Sequence, residues 1–334
     1  MEDIREYLNV NAELRRAIEA SNDTLEPHEL GMGEHNLNYW FETSNGRKFV
    51  LRVNVATQPF HDNQVAYEFA ALRALNASGC TPRAIFLDDS PTAPGKGVIV
   101  ESFCEGRELD FDALQPGDLD AAIRAMADVH AVPVAVDCPL HRPDDPLREL
   151  FEECLCRFEI YRKSSFEDVR ITRWVERFVA RAQQALDTTR PPQERSCIVN
   201  TETLPSHFLI DADQAWFIDW ERPIVGEVAQ DVAYFTSPTT TFWDSDFLFP
   251  HDQVEDVVES YWRAVDGRFE RGNFDERFQA FRAMTALRSA TWCCRALVTY
   301  SQDGSHKTGR TIEKLPVYLS DDFMALVAEE CFGK

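Results

Sequence analysis

Residues 197–221 limit what this chain can fold into more than any other stretch. They start with the apolar Cys197, Ile198 and Val199, pass through a polar loop at Asn200, Thr201 and Glu202, and return to apolar sequence at Phe208, Leu209 and Ile210. Asp211, Ala212, Asp213 and Gln214 make a turn, Trp216, Phe217 and Ile218 a second apolar run, and Asp219 stands where that run ends. Short apolar runs bounded by turn residues predict strand, tight loop, strand, turn, strand. Polar side chains at the ends of buried strands are held rigidly and face a cleft, where carboxylate chemistry can be done. Three groups here can act together: Glu202, His207 five residues later, and Asp219 twelve beyond that. A plain hairpin with surface acids would carry the same residues, since charged side chains are mostly exposed. The order of the groups and the N-terminal part of the chain favour the functional reading.

In that part, residues 3–20 carry Ile4, Leu8, Leu14, Ala17 and Ile18 at helical spacing, which predicts one leading helix. Leu37, Tyr39 and Phe41 alternate with Asn38 and Trp40, a strand pattern, and Asn45-Gly46 is a hairpin turn signal. The next strand, 48–54, carries Arg52, and Gly31 and Gly33 lie in a turn before the hairpin. Residues 64–78 read as a helix with Val65, Phe69, Leu72 and Leu75 on one face, Glu68 within it and Gly79 as its stop. Two more strands follow at 82–87 and 97–103, and beyond 104 the pattern is mainly helical: 119–132, 147–163, 170–187, 252–265, 274–299 and 319–331.

Taken together, residues 28–300 resemble the aminoglycoside phosphotransferase and choline kinase family. Gly33 and Asn36 are similar to its Gly-x-x-Asn loop, Val50-Leu51-Arg52 to its third strand, and Glu68, Leu72 and Leu75 to its Glu-x-x-x-Leu-x-x-Leu helix. Phe103-Cys104-Glu105-Gly106 resembles its hinge, Asp219-Trp220-Glu221 its metal segment, Asp231-Val232-Ala233 the opening of the next helix, and Leu287, Arg288 and Trp292 its C-terminal helix. The loop departs from the family: Asn200-Thr201-Glu202 replaces His-Gly-Asp, and His207 replaces Asn. The chain is similar to subfamilies with Asn-Thr-Glu in the loop and a Pro-Thr-Thr-Thr segment downstream, here 238–241.

The resemblance implies an α+β, protein-kinase-like two-lobed fold: an N-lobe, 1–103, with an antiparallel five-stranded sheet and helices, and a mainly helical C-lobe, 104–334, holding catalytic and acceptor-binding groups. It implies transfer of the γ-phosphate of ATP, or another NTP, to a hydroxyl of a small molecule. Gly31, Gly33, Asn36, Arg52, Glu68, Glu101 and Phe103 would bind nucleotide, with Glu68 holding Arg52 toward the phosphates. Glu202 would be catalytic, His207 and Asp219 would hold Mg2+ or Mn2+, Asn200 and Asp231 would brace the loop, and Glu221, Thr240 and Trp243 would line the acceptor pocket. A neutral imidazole suits softer divalent ions than Mg2+, which is why Mn2+ stands beside it. The competing reading is a kinase-fold nucleotide-binding protein with a regulatory role.

Composition narrows partners and setting. The 334 residues are 44% hydrophobic, enough for a large core, and contain no run of eighteen apolar residues. Net charge is −23, and only six of the 34 basic residues are Lys. Such a surface repels nucleic-acid backbone and anionic lipid. It resembles cytoplasmic proteins of salt-accumulating halophiles, and a halophilic archaeal source is the expectation. Nine Cys without zinc-site spacing read as reduced thiols. The start, Met1-Glu2-Asp3, has no apolar signal core, so a cytoplasmic location is expected; the expected assembly is a monomer or homodimer.

Overall fold

The computed structural model describes residues 1–33, 35–56, 63–193, 196–301 and 309–332. Strands β1 (His28–Met32), β2 (Asn36–Glu42), β3 (Lys48–Asn54), β4 (Ala84–Asp88) and β5 (Val98–Ser102) form one antiparallel sheet in the order β1-β2-β3-β5-β4. Asn45-Gly46 turns β2 into β3, with Gly46 at φ +82. Alternation along the strands sorts their faces. Phe49, Leu51, Val53, Val98 and Val100 join Leu8 and Leu14 in a small core, which leaves Arg52 and Glu101 on the opposite face.

The leading segment is two helices rather than one, α1 (Glu2–Val10) and α2 (Ala12–Ala17). Asn11 separates them: its side-chain oxygen accepts the N–H groups of Glu13 and Leu14 and starts the second helix. Helix α3 (Gln64–Leu75) closes through a 3₁₀ turn onto Gly79 at φ +72. Its Ala71, Leu72 and Leu75 belong to the larger core of the C-terminal part, so the apolar interior does not divide where the backbone crosses.

The crossing follows Ser102. Strand β6 (Arg107–Glu108) leaves the first sheet and pairs with β8 (Phe208–Asp211), which pairs in turn with β9 (Gln214–Phe217). Gly106 fits because it has no side chain: its φ is +147, and a Cβ would lie 2.9 Å from the Ile210 carbonyl oxygen. A second small sheet pairs β7 (Cys197–Val199) with β10 (Ile224–Gly226). Around these sheets stand α4 (Asp118–Ala131), α5 (Pro146–Arg162), α6 (Val169–Thr188), α7 (Val228–Phe235), α8 (Pro238–Asp244), α9 (His251–Val265), α10 (Phe274–Tyr300), α11 (Gly309–Tyr318) and α12 (Asp321–Phe332).

Two of these helices carry weak local signals. Pro238 opens α8 as a first-turn proline, but the three Thr after it are poor helix formers. Helix α11 contains Pro316, which opposes helix locally, so the sequence pattern alone does not predict it. None of the helices among the described residues is long and apolar enough to cross a membrane. All nine cysteines are free thiols.

Candidate active site

Strand β3 and helix α3 bring Arg52 and Glu68 together, with 2.9 Å between Nε and Oε1 and both side chains buried. Asp219, at the end of the β8–β9 hairpin, places Oδ1 at 2.9 Å from Arg52 Nη2, and Glu221 Oε1 lies 3.3 Å from the same nitrogen. Glu101 faces the group from β5, close enough to be influenced by both Arg52 and Asp219. One guanidinium therefore answers four carboxylates.

Their protonation reflects that imbalance. Burial pushes the Glu68 carboxyl well up, against the pull of Arg52. Glu101 is pushed up to about 7 by burial, with Arg52 opposing. Burial also works to raise Asp219, but His207 and Arg52 prevail and hold it below the usual carboxylate range. His207 Nε2 lies 3.3 Å from Asp219 Oδ2, and the buried His207 Nδ1 has no hydrogen-bond partner among the described residues. A cleft with this surplus of acid can be balanced by added cations.

The polar loop is fixed from below. Asp231, buried on α7, accepts the backbone N–H groups of Asn200 at 2.7 Å and Thr201 at 2.8 Å. His130 Nε2 lies 3.2 Å from the same carboxylate, and His130 Nδ1 lies 2.8 Å from the Tyr261 hydroxyl, so this histidine is internal. Asn200 ties the two ends of the stretch together: its amide donates to Asp219 O at 2.8 Å and its oxygen accepts the Glu202 N–H at 3.1 Å. Thr201 sits at φ +70, a conformation that suits the glycine of the family's loop and strains a β-branched residue. Glu202 is about one-third exposed, and its Oε1 accepts Arg288 Nη2 from α10 at 2.5 Å. Arg288 Nη1 also donates to the Thr201 carbonyl.

The remaining expected residues are distributed as follows. Gly31 and Gly33 are exposed beside the β1–β2 turn, whose Glu34 lies outside the described residues. A Cβ at Gly31 would meet nothing within 4 Å, and one at Gly33 only Asn36 O at 3.8 Å, so the fold itself does not require glycine there. Asn36 is buried: its amide donates to Glu221 and its oxygen accepts from Asn54 at 3.1 Å. The structure sets Glu221 among Asn36, Arg52 and His35. The reason is Trp220, fully buried with its indole N–H donating to Phe217 O at 2.8 Å, which leaves its two neighbours facing Arg52. Thr240 is buried within α8 and lines no open surface. Trp243, on the same helix, is half-buried edge-on to Trp292 and Tyr318. Phe103 packs edge-on to Trp40, and its N–H donates to Lys48 O at 3.3 Å.

Some groups at the loop were not singled out from the sequence. Glu153 and Arg157 on α5 and Arg222 after Trp220 form ion pairs beside Glu202. Only the i,i+4 spacing of Glu153 and Arg157 could have signalled part of this. A cavity of about 380 Å³ also borders the loop, lined by Arg107, Asp110, Ser206, Asp244 and Arg310 among others.

Residues 27–277 match the phosphotransferase enzyme family. A comparison with curated proteins gave no match. The fold is similar to that of a choline/ethanolamine kinase family protein from Mesorhizobium loti, with 19% identity, 98% of each chain covered and a TM-score of 0.62. It is similar to spectinomycin phosphotransferase in complex with ADP and spectinomycin, with 11% identity, 98% of this chain and 97% of that one covered, and a TM-score of 0.67. It is also similar to choline kinase from Cryptosporidium parvum Iowa II, with 14% identity, 95% and 94% covered, and a TM-score of 0.62.

Proposed function

The chain belongs to the phosphotransferase enzyme family and has a protein-kinase-like two-lobed fold, and we propose that it transfers the γ-phosphate of ATP, or another NTP, to a hydroxyl of a small molecule. The observation that carries this is the convergence on Arg52: a buried guanidinium, oriented by Glu68 and touching Asp219. Arg52 would hold the α- and β-phosphates, with Glu68 fixing its direction.

Two ligating groups fit a divalent ion here, Asp219 and His207. Among the described residues no set of three or more His, Cys, Asp or Glu is arranged to hold a metal alone. That suits an ion shared with nucleotide phosphates and water, as Mg2+ usually is, and the imidazole adds an affinity for Mn2+. When bound, such an ion neutralises charge on the transferring phosphoryl group. Asp219 is partly exposed and already held ionised by its neighbours, as a metal ligand must be.

Glu202 would orient the acceptor hydroxyl and accept its proton. Arg288 and Arg222 both approach Oε1, which leaves Oε2 for the acceptor. Asp231 and Asn200 keep this carboxylate at a fixed place relative to Asp219, and position is most of what phosphoryl transfer asks of a protein. The net charge of −23 supports a salt-rich cytoplasm as the setting, with nucleotide and small acceptor, rather than nucleic acid, as partners.

Nucleotide binding without transfer is the rival reading; His207 where the family has Asn and the strained Thr201 favour it. Thermal unfolding in about 2 M KCl with ATP, with and without Mg2+ or Mn2+, is the first test; ligands that bind only the folded state raise the midpoint. A metal-dependent rise supports the site, and no rise with any nucleotide in folded protein refutes it. Glu202→Gln should then abolish transfer and keep the ATP-dependent rise; transfer at the wild-type rate would remove Glu202 from its role.

A further inference from the structure

Beside Glu202 the C-lobe gathers three guanidiniums around two carboxylates. Arg157 Nη2 and Arg222 Nη2 share Glu153 Oε1, at 2.5 and 3.1 Å. Arg288 Nη2 and Arg222 Nη1 approach Glu202 Oε1, at 2.5 and 3.9 Å. The Tyr234 ring lies 5.1 Å from the Arg288 guanidinium carbon. Three cations against two acids leave one positive charge over, in a chain whose net charge is −23. None of the three arginine side chains is more than 18% exposed, so their charges are weakly screened. Asp244, the next acid near Tyr234, is paired with Arg310.

Crowding like charges is unfavourable, and here it is tolerated. Burial first, then Arg288 and Arg222, hold Arg157 below its usual range even with Glu153 beside it. Arg157 Nη1 is buried and has no hydrogen-bond partner among the described residues. Bracing the loop accounts for Arg288, which bonds Thr201 O, but not for Arg157. A guanidinium fork matches the two oxygens of a carboxylate or phosphate. A cationic amino alcohol would meet surplus positive charge instead.

Resting on the reading of Glu202 as the group that meets the acceptor, we propose that the acceptor is an anionic alcohol, a small hydroxyl compound bearing a carboxylate or phosphate that Arg157 and Arg222 hold. The acceptor oxygen bonds to the γ-phosphorus as the bond from that phosphorus to the bridging oxygen of ADP breaks. The hydroxyl proton leaves through Glu202 to solvent.

The test is calorimetric binding to the full chain, at the lowest KCl that keeps it folded, with and without Mg·ADP. Four matched probes are used: glycerate, glycerol 3-phosphate, glycerol and ethanolamine. One or both anions should bind at least about tenfold more tightly than glycerol and ethanolamine, and which anion wins separates carboxylate from phosphate. Arg157→Ala should weaken the anion about tenfold or more without changing Mg·ADP affinity, and Arg157→Lys should recover part of the loss. Arg222→Ala is the second variant if the first does not fold. Equal binding of ethanolamine or glycerol, no binding of either anion, or folded variants that bind anions as the wild type does would overturn the proposal. Failure of Mg·ADP to bind would instead refute the kinase reading, because the nucleotide-free titrations judge the arginine site by itself.

Discussion

The guanidinium of Arg52 lies 2.9 Å from the carboxylate of Asp219, 167 residues away in sequence, and joins a strand of the first sheet to the end of the C-lobe hairpin. Each group occupies the other where the proposed reaction would have phosphate and metal. On that reading nucleotide and ion would together replace this contact, so nucleotide binding is expected to depend on the metal.

Removing the cation should be costly even without substrate. In Arg52→Ala the acids Glu68, Glu101, Asp219 and Glu221 lose their shared partner, and breaking a buried pair costs about 3–5 kcal/mol. Denaturant unfolding at fixed KCl measures this. Adding Glu68→Gln should recover part of the loss, and an unchanged midpoint in Arg52→Ala would contradict the pairing.

The pH dependence should carry the signature of Glu101. Its folded pKa of about 7 lies above the ordinary glutamate value of 4.5, so the folded state binds the proton more tightly. Its contribution is full below pH 4.5 and is lost as pH rises through about 7. Glu101→Gln should therefore gain on the metal-free wild type between those limits, by up to about 3 kcal/mol at about 1.4 kcal/mol per pKa unit. Paired melts across the window test the sign; a constant difference would show that Glu101 does not titrate there.

Asp231→Asn should disarm the loop from below. An amide in place of the carboxylate turns at least one donor toward the N–H groups of Asn200 and Thr201, in a fully buried place. A loss of about 1–3 kcal/mol is expected, with a fall in transfer rate of about a hundredfold and nucleotide affinity nearly kept. Calorimetry with ATP and an ADP-release assay separate the two effects.

Gly31→Val should leave stability within about 0.5 kcal/mol, because its Cβ meets nothing and Val suits a strand. If phosphates pass over this turn, ATP affinity should fall at least about tenfold. A variant that binds ATP normally would free Gly31 from the nucleotide site.

Much of the N-terminal sheet was legible because its signals are local: alternation in β2, Asn45-Gly46, and the strand around Arg52. The same holds for the β8–β9 hairpin and its terminal Asp219. Helices α8 and α11 were not, since Thr239, Thr240 and Thr241 in one and Pro316 in the other oppose helix locally while packing stabilises it. Residue type also says little about which way a side chain faces. Glu221 stands two residues after Asp219, and nothing in its type tells that the buried Trp220 between them turns it to Asn36. The cluster of Arg157, Arg222 and Glu153 joins a helix to a distant loop, and no spacing rule links the two.

The apolar seam through α3 has a consequence for how this chain can be divided. Ala71, Leu72 and Leu75 are packed into the interior of the helical part, although they precede the crossing. A protein cut at that crossing would yield one fragment with a bare greasy stripe and another with the matching trough left open. The two pieces should be insoluble apart and recover when expressed together. The smaller lobe is therefore not a cartridge that could be exchanged between relatives, and a chimera would have to carry α3 with the partner it lies against.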